Sequence, residues 1–490
     1  MPWSYGTMPS SDSSAELAAS PSPSVASKRL LPWLVAVAFF MESLDTTILN
    51  TAVPAISAAL HVGPLSMKAV LASYTLSLAV FIPISGWVAD RFGTRRVFAA
   101  AIGLFTLGSL FCGISTNIHM LVACRILQGC GGSMMVPVGR LTLVRTFGKA
   151  DLLRAMSFVS IPALIAPMLG PIAGGLIVGY LHWRVIFFLN IPIGLIGLVL
   201  VYLHLPDYRE ETHPLDTVGL ILFGSGIALL SYVLEVFGEH TLSSREISGL
   251  LILSLALLAG YWLHAKSLEF PLLQLSLFRV RTFRAAVSGG FFTRLGIGGV
   301  PFLLPLLYQV GLGFTPVQSG LLIMPQALAA MAMKAVMPRL LFAMGYRSVL
   351  ISNTIILGLL LLLFATIGPH TPVWIIVLQA FFYGAFTSLQ YTSMNTLVYA
   401  DITEEDTSNA SSIASTMQQM SISFGVATAG LITAFFIPSS HSNPAEATQG
   451  IHRALIALGT LTILSTTIFH SLKSGDGDDV SQHKVLHPGG

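Results

Sequence analysis

Residues 30–60 read LLPWLVAVAFFMESLDTTILNTAVPAISAAL, an apolar stretch long enough to cross a hydrocarbon slab of ~30 Å as a helix, yet interrupted by Glu42 and Asp45. Three residues apart, the two carboxylates share one helical face. A charge in the middle of a span costs about 2.5–3.5 kcal/mol on insertion scales, so carboxylates retained there need a partner or a task. The stretch has no period-two alternation, which argues against a barrel strand, and lipid tolerates only helices or closed barrels because backbone groups must be satisfied internally.

Apolar runs of this kind recur as far as Phe469. Window length gives about fourteen spans, centred near Phe40, Leu78, Leu107, Ile126, Ile165, Leu195, Phe223, Leu255, Gly298, Gln326, Leu359, Tyr383, Gly425 and Ile463. Composition agrees: the 490 residues are 54% hydrophobic and 10% charged, against roughly 25% charged in an ordinary soluble domain. The expected fold class is therefore an all-α polytopic membrane protein whose surplus apolar surface faces the lipid bilayer.

Basic residues set the expected orientation, because short cytoplasmic loops carry the excess of Lys and Arg. With the amino terminus inside, one side collects Lys28, Arg29, Arg91, Arg95, Arg96, Arg140, Arg145, Lys149, Arg154, Arg209, Lys266, Arg279, Arg281, Arg284, Arg339, Arg347, Lys473 and Lys484. The other side receives Lys68, Arg184, Arg245 and Arg453. An even number of crossings with both termini cytoplasmic follows. Residues 1–28, rich in Ser, Ala and Pro and without an apolar core before a cleavage site, read as a disordered cytoplasmic tail rather than a signal peptide.

Six spans precede Pro206 and six follow Arg284, leaving two extra in the middle, roughly Leu215 to Phe237 and Ile247 to His264. The expected organisation is a six-helix bundle over 29–205, two extra helices with a cytoplasmic connector over 206–285, a second six-helix bundle over 286–472, and a tail over 473–490. Paired bundles of this kind place a binding site between the halves near the membrane midplane.

Several function classes find no support. The net charge of +3 is too small for a nucleic-acid partner, and Cys112, Cys124 and Cys130 lack the spacing of a metal site or a disulfide frame. The sequence carries no phosphate-binding loop, no metal-ligand cluster, no suggestively spaced nucleophile and base, and no large extramembrane domain, which argues against an enzyme, a sensor or an ATP-driven pump. The thirteen histidines fall at or beyond the ends of the apolar runs, which argues against a midplane histidine relay.

The charged residues inside spans are the candidates for chemistry. Two carboxylates on one face repel when both are ionised, so one of them readily takes up a proton, the property a proton-coupled carrier needs. Arg125, early in the fourth span, leaves two readings open. Either its charge makes proton uptake by Glu42 and Asp45 depend on how closely the helices pack, or Asp45 and Arg125 form a static ion pair while Glu42 is solvated. Arg294, in the ninth span, is a second-half binding group or a donor to neighbouring carbonyls. Lys334 is expected to snorkel to the interface.

Between the second and third spans, GWVADRFGTRR places Gly86 and Gly93 where tight turns are expected, Asp90 where it would cap a helix, and Arg91, Arg95 and Arg96 as cytoplasmic anchors. The fifth span holds Pro162, Pro167, Gly170, Pro171, Gly174 and Gly175, which kink a membrane helix and let a neighbouring backbone come close. Aromatic, Met and amide side chains suited to varied apolar ligands are candidates to line the cavity: Met41, Phe291, Phe292, Tyr308, Gln309, Met324, Gln390, Tyr391, Asn395 and Gln419, with Arg294.

At these residues the sequence resembles the major facilitator superfamily, and within it the drug:proton antiporters with about fourteen spans, from about Pro32 to Ser471. Leu44 to Asn50 with Pro54 look like that family's first-helix signature, and Gly86 to Arg96 is similar to its loop motif, whose Asp and Arg stabilise one state of a gate. Arg125, Gln128, Gly129 and Gly132 match the fourth-helix motif whose arginine serves proton coupling. Ala166, Gly170, Pro171, Gly174 and Gly175 resemble the fifth-helix antiporter motif, with Ala166 where a glycine is usual. Trp183, Arg184, Ile186, Phe187, Asn190, Pro192 and Gly194 resemble the start of the sixth helix, and Leu277, Phe278, Arg279, Thr282 and Phe283 the connector before the second bundle.

The resemblance implies a major facilitator fold of two six-helix bundles plus two additional central helices. It also implies alternating access, the proton as coupling ion with no other cofactor or metal, and export of small amphipathic molecules of the multidrug type. A dedicated carrier of a single metabolite, such as an amino-acid derivative or a siderophore, is the alternative. A monomer, alone or with a periplasmic or outer-membrane efflux partner, fits either reading.

Overall fold

A computed structural model describes residues 25–147, 149–236, 243–403, 406–436 and 444–478. The expected tail over 1–28 lies outside these residues up to position 24, and the second tail lies outside them beyond position 478. The first bundle is built from α1 (Val25–Ala59), α2 (Lys68–Phe81), α3 (Ser85–Phe92), α4 (Thr94–Ile114), α5 (Ile118–Thr146), α6 (Lys149–Tyr180), α7 (Val185–Phe188) and α8 (Asn190–His204). A hairpin of α9 (Thr217–Val236) and α10 (Ser244–Ser267) follows. The second bundle holds α11 (Arg281–Ile297), α12 (Val300–Leu306), α13 (Pro316–Phe364), α14 (Val373–Leu397), α15 (Thr407–Phe436) and α16 (Pro444–Phe469).

Twelve segments of the described residues are long and apolar enough to cross a membrane, with α2 and α3, α7 and α8, and α11 and α12 each acting as one. One of the twelve, α13, runs 49 residues but is broken at Gly345, whose φ of 69° and ψ of 163° are not helical. Ala330 accepts a hydrogen bond from Ser388, while Asn353 donates to Phe386 and Gln390. A straight helix would hold positions 330 and 353 roughly 35 Å apart. Both meet adjacent turns of α14, so α13 folds back on itself and makes two crossings. The proline-rich α6 adds another, which gives the fourteen crossings expected.

The two bundles repeat one device. Gly93, with φ of 96°, makes the turn from α3 into α4, just as Gly345 makes the turn within α13, and both adopt the left-handed region that a side chain disfavours. In the first bundle the chain after α8 closes over this turn: Thr94 N donates to Tyr208 O, and Arg95 N donates to the Asp207 carboxylate. In the second, the chain after α16 does the same work. Asp476 pairs with Arg281 at the start of α11 and accepts from Lys473 N, while Gly477 lies against the Tyr346 ring. Residues 473–478 are therefore packed on the second bundle rather than a free tail, because Asp476 and Gly477 are buried there.

Alternation of the crossings gathers Arg91, Arg95, Arg96, Arg145, Arg209, Arg281, Arg339 and Arg347 at one end of the molecule, hereafter the basic end. The bundles close on each other from the middle of the molecule towards the opposite end. Gly175 of α6 faces the carbonyl of Pro316, and Gly320 of α13 faces the carbonyl of Pro171, so small residues bring the two backbones together. Ser423 Oγ donates to Ala72 O at 3.1 Å, joining α15 to α2. After α12 the chain widens into a π turn, Leu307–Gly311, from which Gln309 Nε2 donates to Thr51 O at 3.0 Å.

The α9–α10 hairpin lies over the seam where α2 meets α15, with α9 against both and α10 outside it, presenting Ile252, Leu253, Leu255 and Leu263 outwards. Ser254 Oγ ties α10 to Gly226 O of α9 at 2.8 Å, and Lys68 Nζ donates to Glu235 O at 2.6 Å. At the basic end Asp216 fastens the hairpin to the connector, accepting from His264 Nε2, Gly219 N and Leu272 N. Burial pushes the Asp216 carboxyl up, but the bonds from His264 and the two backbone amides outweigh burial and hold it below the ordinary carboxylate range. A lowered folded value contributes stability above the unfolded pKa of about 3.9 and loses it as pH falls through the folded value. The thermal stability of the detergent-solubilised protein is therefore expected to fall on acidification below pH ~4, and to do so less steeply in Asp216→Asn. Identical acid profiles for the two proteins would remove Asp216 from this role.

Candidate functional site

In the first bundle a polar network sits where the sequence places apolar spans. Asp45 of α1 and Arg125 of α5 are joined by an ion pair at 2.5 Å, each side chain 1% exposed. Asp45 also accepts from Gln128 Nε2 at 2.9 Å and from Asn190 Nδ2 at 3.0 Å. Arg125 Nη1 donates to Gln128 Oε1 at 2.7 Å as well, and Ser109 Oγ of α4 receives both the Gln128 and the Asn190 amides. The guanidinium stacks over the Tyr74 ring at 4.2 Å. Five helices thus contribute: α1, α2, α4, α5 and α8.

Glycines make this closeness possible. A side chain at Gly129 would strike the Tyr74 carbonyl and Ser77 of α2, one at Gly108 would strike the backbone at Gln128, and one at Gly194 would strike Thr106. Gly170 and Gly174 of α6 press against Thr47 and the Ile48 carbonyl of α1, seating α1 beside the network. Gly170, Pro171, Gly174 and Gly175 therefore face α1 and α13, the close approach expected of them.

Glu42 lies one turn from Asp45 but outside the network. One of its oxygens, Oε2, is buried without a hydrogen-bond partner among the described residues. Of the two readings left open by the sequence, the structure brings Asp45 and Arg125 together as an ion pair and leaves Glu42 half-buried outside it.

The loop motif differs from expectation in two places. Gly86 lies within α3, with open space beside it, and makes no turn; the turn belongs to Gly93 alone. Asp90 caps no helix. It sits near the end of α3 and pairs with Arg145 of α5 at 2.8 Å, and Arg145 also holds Glu210 at 2.8 Å. Asp207, reaching Arg95 N, occupies the capping place instead. Arg91 and Arg96 are exposed and Arg95 half-buried at the basic end.

The cavity-lining candidates divide. Met41 is buried beside an apolar crevice between α1, α4 and α8 that also contains Trp33, Val37 and Ile196, on the first bundle's flank rather than between the bundles. Gln390 is fully buried within the second bundle, bonded to Asn353 and Thr354. Tyr308 is buried against Phe314 near the closed end, and Gln309 is a latch between the bundles. Met41, Tyr308 and Gln390 are spent on packing and Gln309 on closure in this state. Gln419 is half-buried on α15, and Asn395 is exposed on α14, where its Oδ1 accepts from Arg294 Nη2 at 2.7 Å. Arg294 accordingly donates to a side-chain amide, not to a carbonyl of the backbone.

Ser109 belongs to no motif in the sequence, and Gln128 and Asn190 stand there as motif positions, whereas in the structure all three join the Asp45 network. The available signal was polarity: each is an uncharged hydrogen-bonding residue inside an apolar run.

Comparison with known proteins places this architecture. Residues 35–426 match the family model described as Major Facilitator Superfamily. The Serratia proteamaculans protein named for multidrug resistance, MdtD, is 41% identical over 424 residues, covering 86% of this chain and 88% of that protein. Its namesake in Escherichia coli K12 (DH10B) is 42% identical over 404 residues, covering 82% and 86%. Among solved structures, a bacterial homologue of the human lysosomal transporter Spinster, inward-facing and unoccupied, aligns with a TM-score of 0.65 at 13% identity over 91% of this chain and 97% of that one. A D-xylose–proton symporter aligns with a TM-score of 0.64 at 14% identity over 92% and 99%. At such identities these two likenesses bear on the fold alone.

Proposed function

This chain belongs to the major facilitator superfamily, and from that premise we propose that it exports small amphipathic molecules from the cytoplasm in exchange for protons. The relatives named for multidrug resistance, more than 40% identical over most of the chain, support the cargo class. The basic end then faces the cytoplasm and the closed end the periplasm, in an inner membrane, as the distribution of Lys and Arg favours. In this state the carrier is sealed outwards by the α6–α13 and α2–α15 contacts and receives cargo from the cytoplasm.

The observation that carries the coupling is the Asp45–Arg125 pair with Glu42 one turn away. A carboxylate oxygen buried without a donor disfavours the ionised form, and a proton on Glu42 relieves this cost. Asp45 is held by three donors on two other helices, α5 and α8, so its protonation weakens their grip on α1. When the bundles rock and open outwards, water reaches these groups, a proton arrives from the periplasm, and the network loosens. Return to the present state expels the proton inwards. Asp90, Arg145 and Glu210 tie α3, α5 and the chain after α8 into one rigid unit at the cytoplasmic end.

The test is transport in inverted membrane vesicles with an imposed pH gradient and a panel of amphipathic dyes. Cargo accumulation that follows the gradient, with cargo-induced proton movement, is expected. Cargo movement indifferent to the gradient would remove proton coupling from the account.

A further inference from the structure

Two arginines are buried in the middle of the membrane, one in each bundle, and their surroundings differ. Arg125 has the Asp45 carboxylate at 2.5 Å. Arg294, only 5% exposed, has none: among the described residues its guanidinium makes one hydrogen bond, Nη2 to the neutral Asn395 amide, and Nε is buried without a partner. The Tyr391 ring lies 4.9 Å from the guanidinium carbon, a weak compensation for a cation that is always charged. A side chain at Gly290 would crowd Nη1, so the glycine keeps room beside the fork. A void of about 10 Å³ adjoins it between α11, α14 and α15, bordered by Met394, Asn395, Ala414 and Met417. Asn395 itself is exposed, so the cluster is reachable.

A permanent cation in a span without a counter-ion is unfavourable unless something else supplies the negative charge. We infer that Arg294, with Asn395 and Tyr391, is a receptor for the anionic head of the cargo, and that the carrier takes amphipathic organic anions bearing a carboxylate or a similar planar acid group. The guanidinium fork matches such a head through paired N–H donors, Asn395 Nδ2 adds a donor, and Met394 and Met417 offer soft contacts to the apolar part. The inference rests on the export reading above and narrows its cargo. It also agrees with the energetics, since an anion leaving and a proton entering both move with an inside-negative potential.

The test is equilibrium binding to the purified full-length protein in detergent, at one pH and without a gradient, using 1-naphthylacetate and its uncharged counterpart 1-naphthylacetamide. The wild type is expected to prefer the carboxylate by about tenfold, the difference between a charge-assisted and a neutral hydrogen bond. Arg294→Gln should erase the preference, and Arg294→Lys should retain part of it. Asn395→Asp is the decisive variant: it gives Arg294 an internal carboxylate, so it should fold at least as well as the wild type yet lose the preference. Equal affinity for the two probes, tighter binding of the cation tetraphenylphosphonium than of the carboxylate, or a preference that survives both Arg294→Gln and Asn395→Asp would overturn the inference. Because no pH gradient is involved, a failure of proton coupling leaves this result unaffected, and a failure here leaves proton-coupled export of other cargo standing.

Discussion

Inverted vesicles carrying Asp45→Asn are expected to show no gradient-driven accumulation of cargo, with uptake falling to the level of vesicles that lack the protein. Asparagine keeps the size of aspartate and still accepts from Gln128 and Asn190, although Arg125 loses its counter-ion. What it lacks is a site that alternates between charged and neutral, and without that alternation α1 has no proton-dependent hold on α5 and α8. Insertion depends on the apolar spans, which are unchanged, so the amount of protein in the membrane should match the wild type. Glu42→Gln is expected to allow cargo to run down its own gradient while losing the response to pH. Gradient-driven uptake by Asp45→Asn at the wild-type rate would move proton coupling to another residue.

Arg125→Ala is expected to lower the unfolding free energy by about 3–5 kcal/mol, because it leaves the Asp45 carboxylate buried with its charge uncompensated. The thermal midpoint of the solubilised protein reports this loss. The double substitution Asp45→Asn with Arg125→Gln should recover most of it, since the remaining amides can satisfy one another and no lone charge is left in the bundle. Transport should not recover. If the single and double variants unfold at the same temperature, the pair contributes nothing as a pair, and the network is held together by its amides and by packing.

The spans were legible in the sequence because membrane helices satisfy every backbone group internally and so depend on length and apolarity, which composition displays directly. The fold-back at Gly345 was visible as a basic loop between two apolar runs. Its mechanism, a left-handed glycine repeated at Gly93, was not, because a glycine's dihedral angles are set by the chain packed over it. Asp45 and Arg125 were legible as charges that lipid would not tolerate alone. Asn190 as a third partner was not, since 145 positions separate it from Asp45 and spacing along one helix says nothing about a neighbour on another. Asp90 misled for a related reason. An acid shortly before a helix start looks like a cap, but Arg145 offered it a full charge, and a charge-assisted bond outweighs a neutral amide.

The additional hairpin has a consequence for how oily molecules reach the carrier. A two-bundle transporter exposes two long slots to the surrounding lipid, one on each flank, through which a solute dissolved in the inner leaflet can slip sideways. Here α9 and α10 board over one flank and leave the other unroofed. If the chain exports amphipathic molecules as proposed, entry from the lipid is expected on the side where α6 runs along α13, which gives the protein a front and a back in the plane of the membrane.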